Sequence, residues 1–129
     1  MITVNFEGES FTAAEQEFVL QDDLAAQAKD LEARRAQWVN LYLRAQKKIS
    51  MLDEVAEFNR GVALQDYTGV EFKTDKSKEL RYFKDHYEEE NKRVWDLEEA
   101  RNASDGAKQV MDMHDHLREL LVASLSVQK

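Results

Sequence analysis

From Thr12 to Arg60 nothing in the chain interrupts a helix. Proline is absent from all 129 residues, which removes the strongest helix breaker. Leu24, Leu31, Trp38, Ala45 and Leu52 recur every seven residues, with Leu20, Ala28, Leu41, Tyr42, Ile49, Val55 and Ala56 filling neighbouring positions. At about 100° per residue the heptad set drifts by about −20° per repeat and stays on one face, as a left-handed supercoil requires. Thr12 and Glu15 have the spacing of a capping box, and Gly61 after Asn59-Arg60 is a C-terminal stop signal. These signals predict a helix over 12–60. About 49 residues of helix would run roughly 70 Å, against a radius of gyration of about 14 Å for a compact chain of this length. Such a helix must bend, near Gln21-Asp22-Asp23, or find company along its length.

The remainder reads as shorter pieces. Ile2, Val4 and Phe6 alternate with polar residues, the period of a strand or an extended arm over 1–9 that Gly8 ends. Val62/Leu64 and Val70/Phe72 predict a small β-hairpin or extended loop over 62–73. A second helix over 75–102 starts around Thr74-Asp75, with acid at its positive end. Its face is Leu80, Phe83, Tyr87, Val94 and Leu97, with Trp95 beside it and Glu90 in a slot that calls for an apolar residue. Asn102-Ala103-Ser104-Asp105-Gly106 reads as a turn, and a third helix over 105–127 carries Val110, Met113, Leu117, Leu120, Leu121 and Val127. The expected fold is mainly α: a single-domain antiparallel helical bundle with one long N-terminal helix, a short N-terminal arm and a small hairpin or loop.

The charge balance restricts partners. Acids outnumber bases 26 to 18, for a net charge of −8, which argues against phosphate-driven or sequence-specific nucleic-acid binding. Distribution says more than the sum. Residues 1–32 hold eight acids and one base, whereas residues 33–52 hold five bases and no acid. Such segregation suits pairing of opposite faces, within one chain or between copies. No stretch is apolar enough to cross a membrane. The start resembles no secretory signal, so a cytoplasmic or virion location is expected. Without cysteine there is no thiolate nucleophile and no cysteine-held metal.

Few residues carry a signature of chemistry. His114 and His116 stand two apart, about 200° around a helix, so both cannot ligate one ion, and their default place is the polar face. Neither Glu-x-x-His nor His-Glu-x-x-His occurs. Asp53-Glu54-Val55-Ala56-Glu57 resembles the Glu-Glu-x-x-Glu helix of the all-α nucleotide pyrophosphohydrolases, the MazG-like group. That resemblance implies magnesium held by Glu54 and Glu57 and a nucleoside triphosphate as substrate. The family also needs Glu-x-x-Asp on a following helix. Here Asp112-Met113-His114-Asp115 is the nearest substitute, so the metal set under this alternative would be Glu54, Glu57, Asp112 and Asp115. The plainer reading of these carboxylates is an exposed acidic face. A further alternative, an acidic mimic of nucleic acid, needs a long row of carboxylates, which the basic block at 34–48 interrupts. Arg35, at the edge of the apolar stripe, is the candidate for a buried or intersubunit ion pair.

A non-enzymatic structural or adaptor protein is therefore expected, with no cofactor, acting through helix-mediated self-association or docking in a multi-subunit assembly such as a phage virion. The expected contacts are Ile2, Val4 and Phe6 in the arm, Leu24, Leu31, Trp38, Tyr42 and Leu52 on the first helix, and Leu117, Leu121 and Leu125 on the last.

Overall fold

The computed structural model describes residues 1–128. Two strands come first, β1 (Ile2–Phe6) and β2 (Glu9–Ala13), then a 3-10 turn at Glu15–Phe18 and three helices: α1 (Leu24–Asp66), α2 (Asp75–Asp85) and α3 (Tyr87–Gln128). The architecture is a mainly-α helical bundle with one small antiparallel hairpin. Two compact units divide it: residues 1–46 with 99–128, and residues 47–98.

In the first unit the expected arm is half of a hairpin. Ile2 pairs with Ala13, Val4 with Phe11 and Phe6 with Glu9, which leaves Glu7-Gly8 as a two-residue turn. Both turn residues have positive φ, 49° and 80°, as a type I′ turn demands. Phe11 and Ala13 continue the alternation begun by Ile2, so Thr12 belongs to a strand and does not cap a helix. Its hydroxyl lies 3.4 Å from that of Thr3, and the carboxylate of Glu15 instead accepts from the Met1 ammonium at 3.1 Å.

The long helix starts twelve residues later than the sequence suggested, at the acidic bend. Asp23 Oδ1 accepts from the Ala26 N–H at 3.1 Å, which satisfies one of the orphan donors of the first turn. Gln27, almost fully buried, secures the segment before it: its Nε2 donates to the Val19 carbonyl and its Oε1 accepts from the Gln21 N–H. The heptad stripe then turns inward. Leu24 and Leu31 cluster with Leu117 and Leu121, with Phe18, Ala28 and Leu125 packed around them. Trp38, Leu41 and Ala45 are buried further along α1, as are Ala100, Ala103, Ala107 and Val110 along α3. Ion pairs fix the antiparallel register in this unit. Arg35 donates to Asp115 at 2.8 Å, and Arg118 joins Asp115 to Glu32 at 3.3 and 2.7 Å. Gln46 Nε2 donates to the Ser104 hydroxyl at 2.6 Å.

The turn expected at 102–106 does not exist, because α3 runs straight through it. Small side chains there serve close packing: Ala103 and Ser104 are buried, and a Cβ on Gly106 would lie only 2.5 Å from Cγ2 of Val4. Small residues let β1 rest on the helix backbone. The hairpin is held at its turn as well. Glu7 donates its backbone N–H to Glu99 at 2.7 Å, and Arg44 lies 5.4 Å from the Phe6 ring centroid while pairing with Glu7 and Glu9.

In the second unit, α1 continues past Gly61 to Asp66 and takes in Val62, Ala63 and Leu64. No strand forms over 62–73, which corrects the expected hairpin. Gly61 has an open site for a side chain and no positive φ, so it is an ordinary helical glycine, not a stop. Loop residues Tyr67 and Phe72 meet edge to face at 5.6 Å. The start of α2 is as expected: Thr74 Oγ1 accepts from the Ser77 N–H at 3.1 Å, a side-chain cap on the first turn. The helix expected over 75–102 breaks at His86, whose φ of −118° and ψ of 36° end α2.

Candidate protein-interaction surface

The two units are built very differently. Buried apolar side chains concentrate in the first. Over 47–98, only Ala63 and Glu90 are fully buried among the described residues. Polar contacts take the place of a core there. The Glu90 carboxylate, 6% exposed, accepts from Asn59 Nδ2 at 2.5 Å and from Arg93 Nη2 and Nε at 2.9 and 3.2 Å. The apolar slot that Glu90 seemed to spoil is thus filled by a buried, hydrogen-bonded ion pair, an arrangement that specifies geometry more than it stabilises. Arg60 Nε donates to Glu79 at 2.6 Å. Tyr67 donates its hydroxyl to Asp85 at 2.7 Å; that bond is the main reason the Asp85 pKa is lowered and the Tyr67 pKa raised. Burial, helped by the negative charge of Glu90 and Glu89, pushes up the Tyr82 phenol. A cleft of about 170 Å³ opens among these groups. The arginines and glutamates that line it already neutralise each other, so it presents little net charge to a ligand.

Several large apolar side chains of this unit are exposed among its charged ones. Phe58 is 71% exposed, Trp95 66% and Met51 51%, with Val55, Leu80, Tyr87 and Val94 also exposed. On α1 these residues fall in a line: Met51, Val55, Phe58 and the partly exposed Val62 are spaced four, three and four apart, within about 60° of arc. Exposed single apolar residues need no explanation, but an aligned set rimmed by charge is the usual mark of a protein contact.

The side chains named from the sequence as contacts lie elsewhere. Val4, Phe6, Leu24, Leu31, Trp38, Leu117 and Leu121 are buried inside the first unit, and Leu125 packs against the same cluster. Ile2, Tyr42 and Leu52 are half-buried. The most regular stripe is spent on the chain's own core. The less regular line 51–62, offset from it around α1, is the one left uncovered; of that line the sequence singled out Val55, as a filler of the heptad pattern, and Val62, as part of the expected hairpin. Its signal was the four-three-four spacing itself.

The metal alternative finds its residues in different units. Glu54 and Glu57 are exposed on the second, Asp112 is exposed on the first, and Asp115 is engaged by Arg35 and Arg118. Among the described residues no three His, Asp or Glu side chains stand close enough to share a metal ion. His114 is not on the polar face. It is 1% exposed, with Phe18 at 5.2 Å from its ring and neither ring nitrogen hydrogen-bonded. Burial lowers its pKa, as do Arg35 and Arg34, while Glu17 and Asp115 oppose the shift. His116, by contrast, is exposed. The segregated charges pair within the chain: Arg34 with Glu17 at 3.9 Å, and Arg44 with Glu7 and Glu9. Among the described residues no helix is long and apolar enough to cross a membrane. No family model, curated protein or solved structure matches this chain.

Proposed function

We propose that this chain is a non-enzymatic assembly protein that associates with copies of itself through its 47–98 unit, within a larger multi-subunit structure of the virion type. One observation carries this reading. A unit of 52 residues that fully buries only Ala63 and Glu90 among its described residues holds eight large apolar side chains on its surface, Val70 in the loop included. Fully burying a side chain such as Phe58 contributes about 1.5–3 kcal/mol, so covering several at once offsets the cost of association. Polar networks such as Asn59–Glu90–Arg93 hold the unit's geometry while its apolar residues face outward.

Sedimentation velocity over a range of concentrations tests the proposal. The chain should exceed its 15.0 kDa monomer mass, and Phe58→Glu combined with Trp95→Glu should return it to monomer with helical circular dichroism unchanged. Both sites are exposed, so loss of fold is not the expected result. A 15.0 kDa species at every concentration would end this reading.

A further inference from the structure

We infer that the line Met51, Val55, Phe58 and Val62 is covered by the same line of a second copy, running antiparallel about a two-fold axis between Ala56 and Glu57. This inference rests on the self-association proposed above and names its face and partner. Spacings of four, three and four read the same in both directions. A second copy laid antiparallel therefore sets Met51 opposite the partner's Val62 and Val55 opposite the partner's Phe58, with no apolar residue left over. An isologous contact requires such self-complementarity, and alternating four- and three-residue steps are those of knobs packing into holes.

Charge favours the same direction. Lys48 and Asp66 sit at opposite ends of the line, both about 50° from its centre on the same flank. Antiparallel pairing brings Lys48 within one residue step of the partner's Asp66, twice per dimer. Parallel pairing in register would put the two Lys48 side chains on opposite flanks at one end and the two Asp66 side chains on opposite flanks at the other, so opposite charges would not meet. The ends of the line are polar, Lys48 and Gln65, so the apolar contact closes at both limits and does not invite a third copy.

The absence of cysteine makes cross-linking a clean test. Met51→Cys chains mixed with Val62→Cys chains should form a disulfide-linked dimer on mild oxidation, while neither variant alone should. A disulfide needs Cα atoms within about 7 Å, and residues 51 of two antiparallel copies lie about 16 Å apart along the axis. Lys48→Glu alone and Asp66→Lys alone should each raise the dimer dissociation constant about tenfold, and an equimolar mixture should restore it. Cross-linking of each single-cysteine variant with itself would overturn the antiparallel arrangement. An oligomer that neither cross-links at these pairs nor responds to charge reversal would overturn this inference and leave self-association standing through another face. A monomer would overturn both.

Discussion

Replacing Gly106 by alanine asks whether the N-terminal hairpin rests on α3, and the expected sign is unusual. In an exposed helix interior this change stabilises by about 0.8–1.0 kcal/mol, because glycine loses more backbone entropy than alanine. Here the new Cβ would meet Cγ2 of Val4 at 2.5 Å, roughly 1 Å inside ordinary contact. Val4 is buried in a paired strand and cannot swing its methyl away freely. Overpacking of this kind costs about 1–3 kcal/mol, so Gly106→Ala should destabilise by about 1 kcal/mol net. Val4→Ala changes the outcome. With the methyl gone, the nearest atom is Cβ of residue 4 at 3.8 Å, an ordinary contact, and the helical gain returns. Gly106→Ala should then stabilise by about 1 kcal/mol in the Val4→Ala background, a coupling of about 2 kcal/mol. Urea unfolding read by the fluorescence of buried Trp38, in a Trp95→Phe background, measures both steps. At about 2 kcal/mol per molar urea, each step moves the midpoint by about 0.5 M, in opposite directions. If Gly106→Ala stabilises equally with and without Val4, the hairpin does not press on α3 and the account of residues 102–106 is wrong.

Two further predictions follow from single sites. Gly61→Ala should stabilise by about 1 kcal/mol, since the position is helical and open; a loss measured by thermal melting would mean that the helix stops there after all. His114 is held neutral by burial, with its folded pKa below the unfolded value of about 6.5. Its contribution is therefore fully present above pH 6.5 and is lost as pH falls towards the folded pKa, at up to about 1.4 kcal/mol per pH unit. Melting temperature between pH 7.5 and 5 should fall more steeply in the wild type than in His114→Phe; parallel slopes would show that another group governs acid sensitivity.

Much of the helical content could be read from residue order, and the failures share one cause. The stripe from Leu24 to Leu52 and the helix start at Thr74-Asp75 were legible because each is a local pattern with a local physical consequence. Gly61, and the run Asn102-Ala103-Ser104-Asp105-Gly106, have the composition of a turn, and composition alone cannot say whether small residues mark a break or a place where another backbone comes close. The spacing of Ala100, Ala103 and Ala107 was already helical, but only the approach of Val4 explains why position 106 is a glycine. The candidate surface was missed for the complementary reason. Periodicity reveals that a face is apolar, not what covers it, and the most regular face turned out to be covered by the chain's own α3.

Glu7 and Glu99, hydrogen-bonded to each other, are 92 residues apart in sequence. An isolated two-stranded hairpin is marginal in water, and this one finds its seat only when α3 has been made. At about 5–20 residues per second, a growing polypeptide would carry Val4 without the Gly106 surface it rests on for roughly five to twenty seconds. During synthesis, then, the hairpin has only its contacts with α1 to cover its edge, and the seating of β1 on α3 cannot come before residues 99–106 are made.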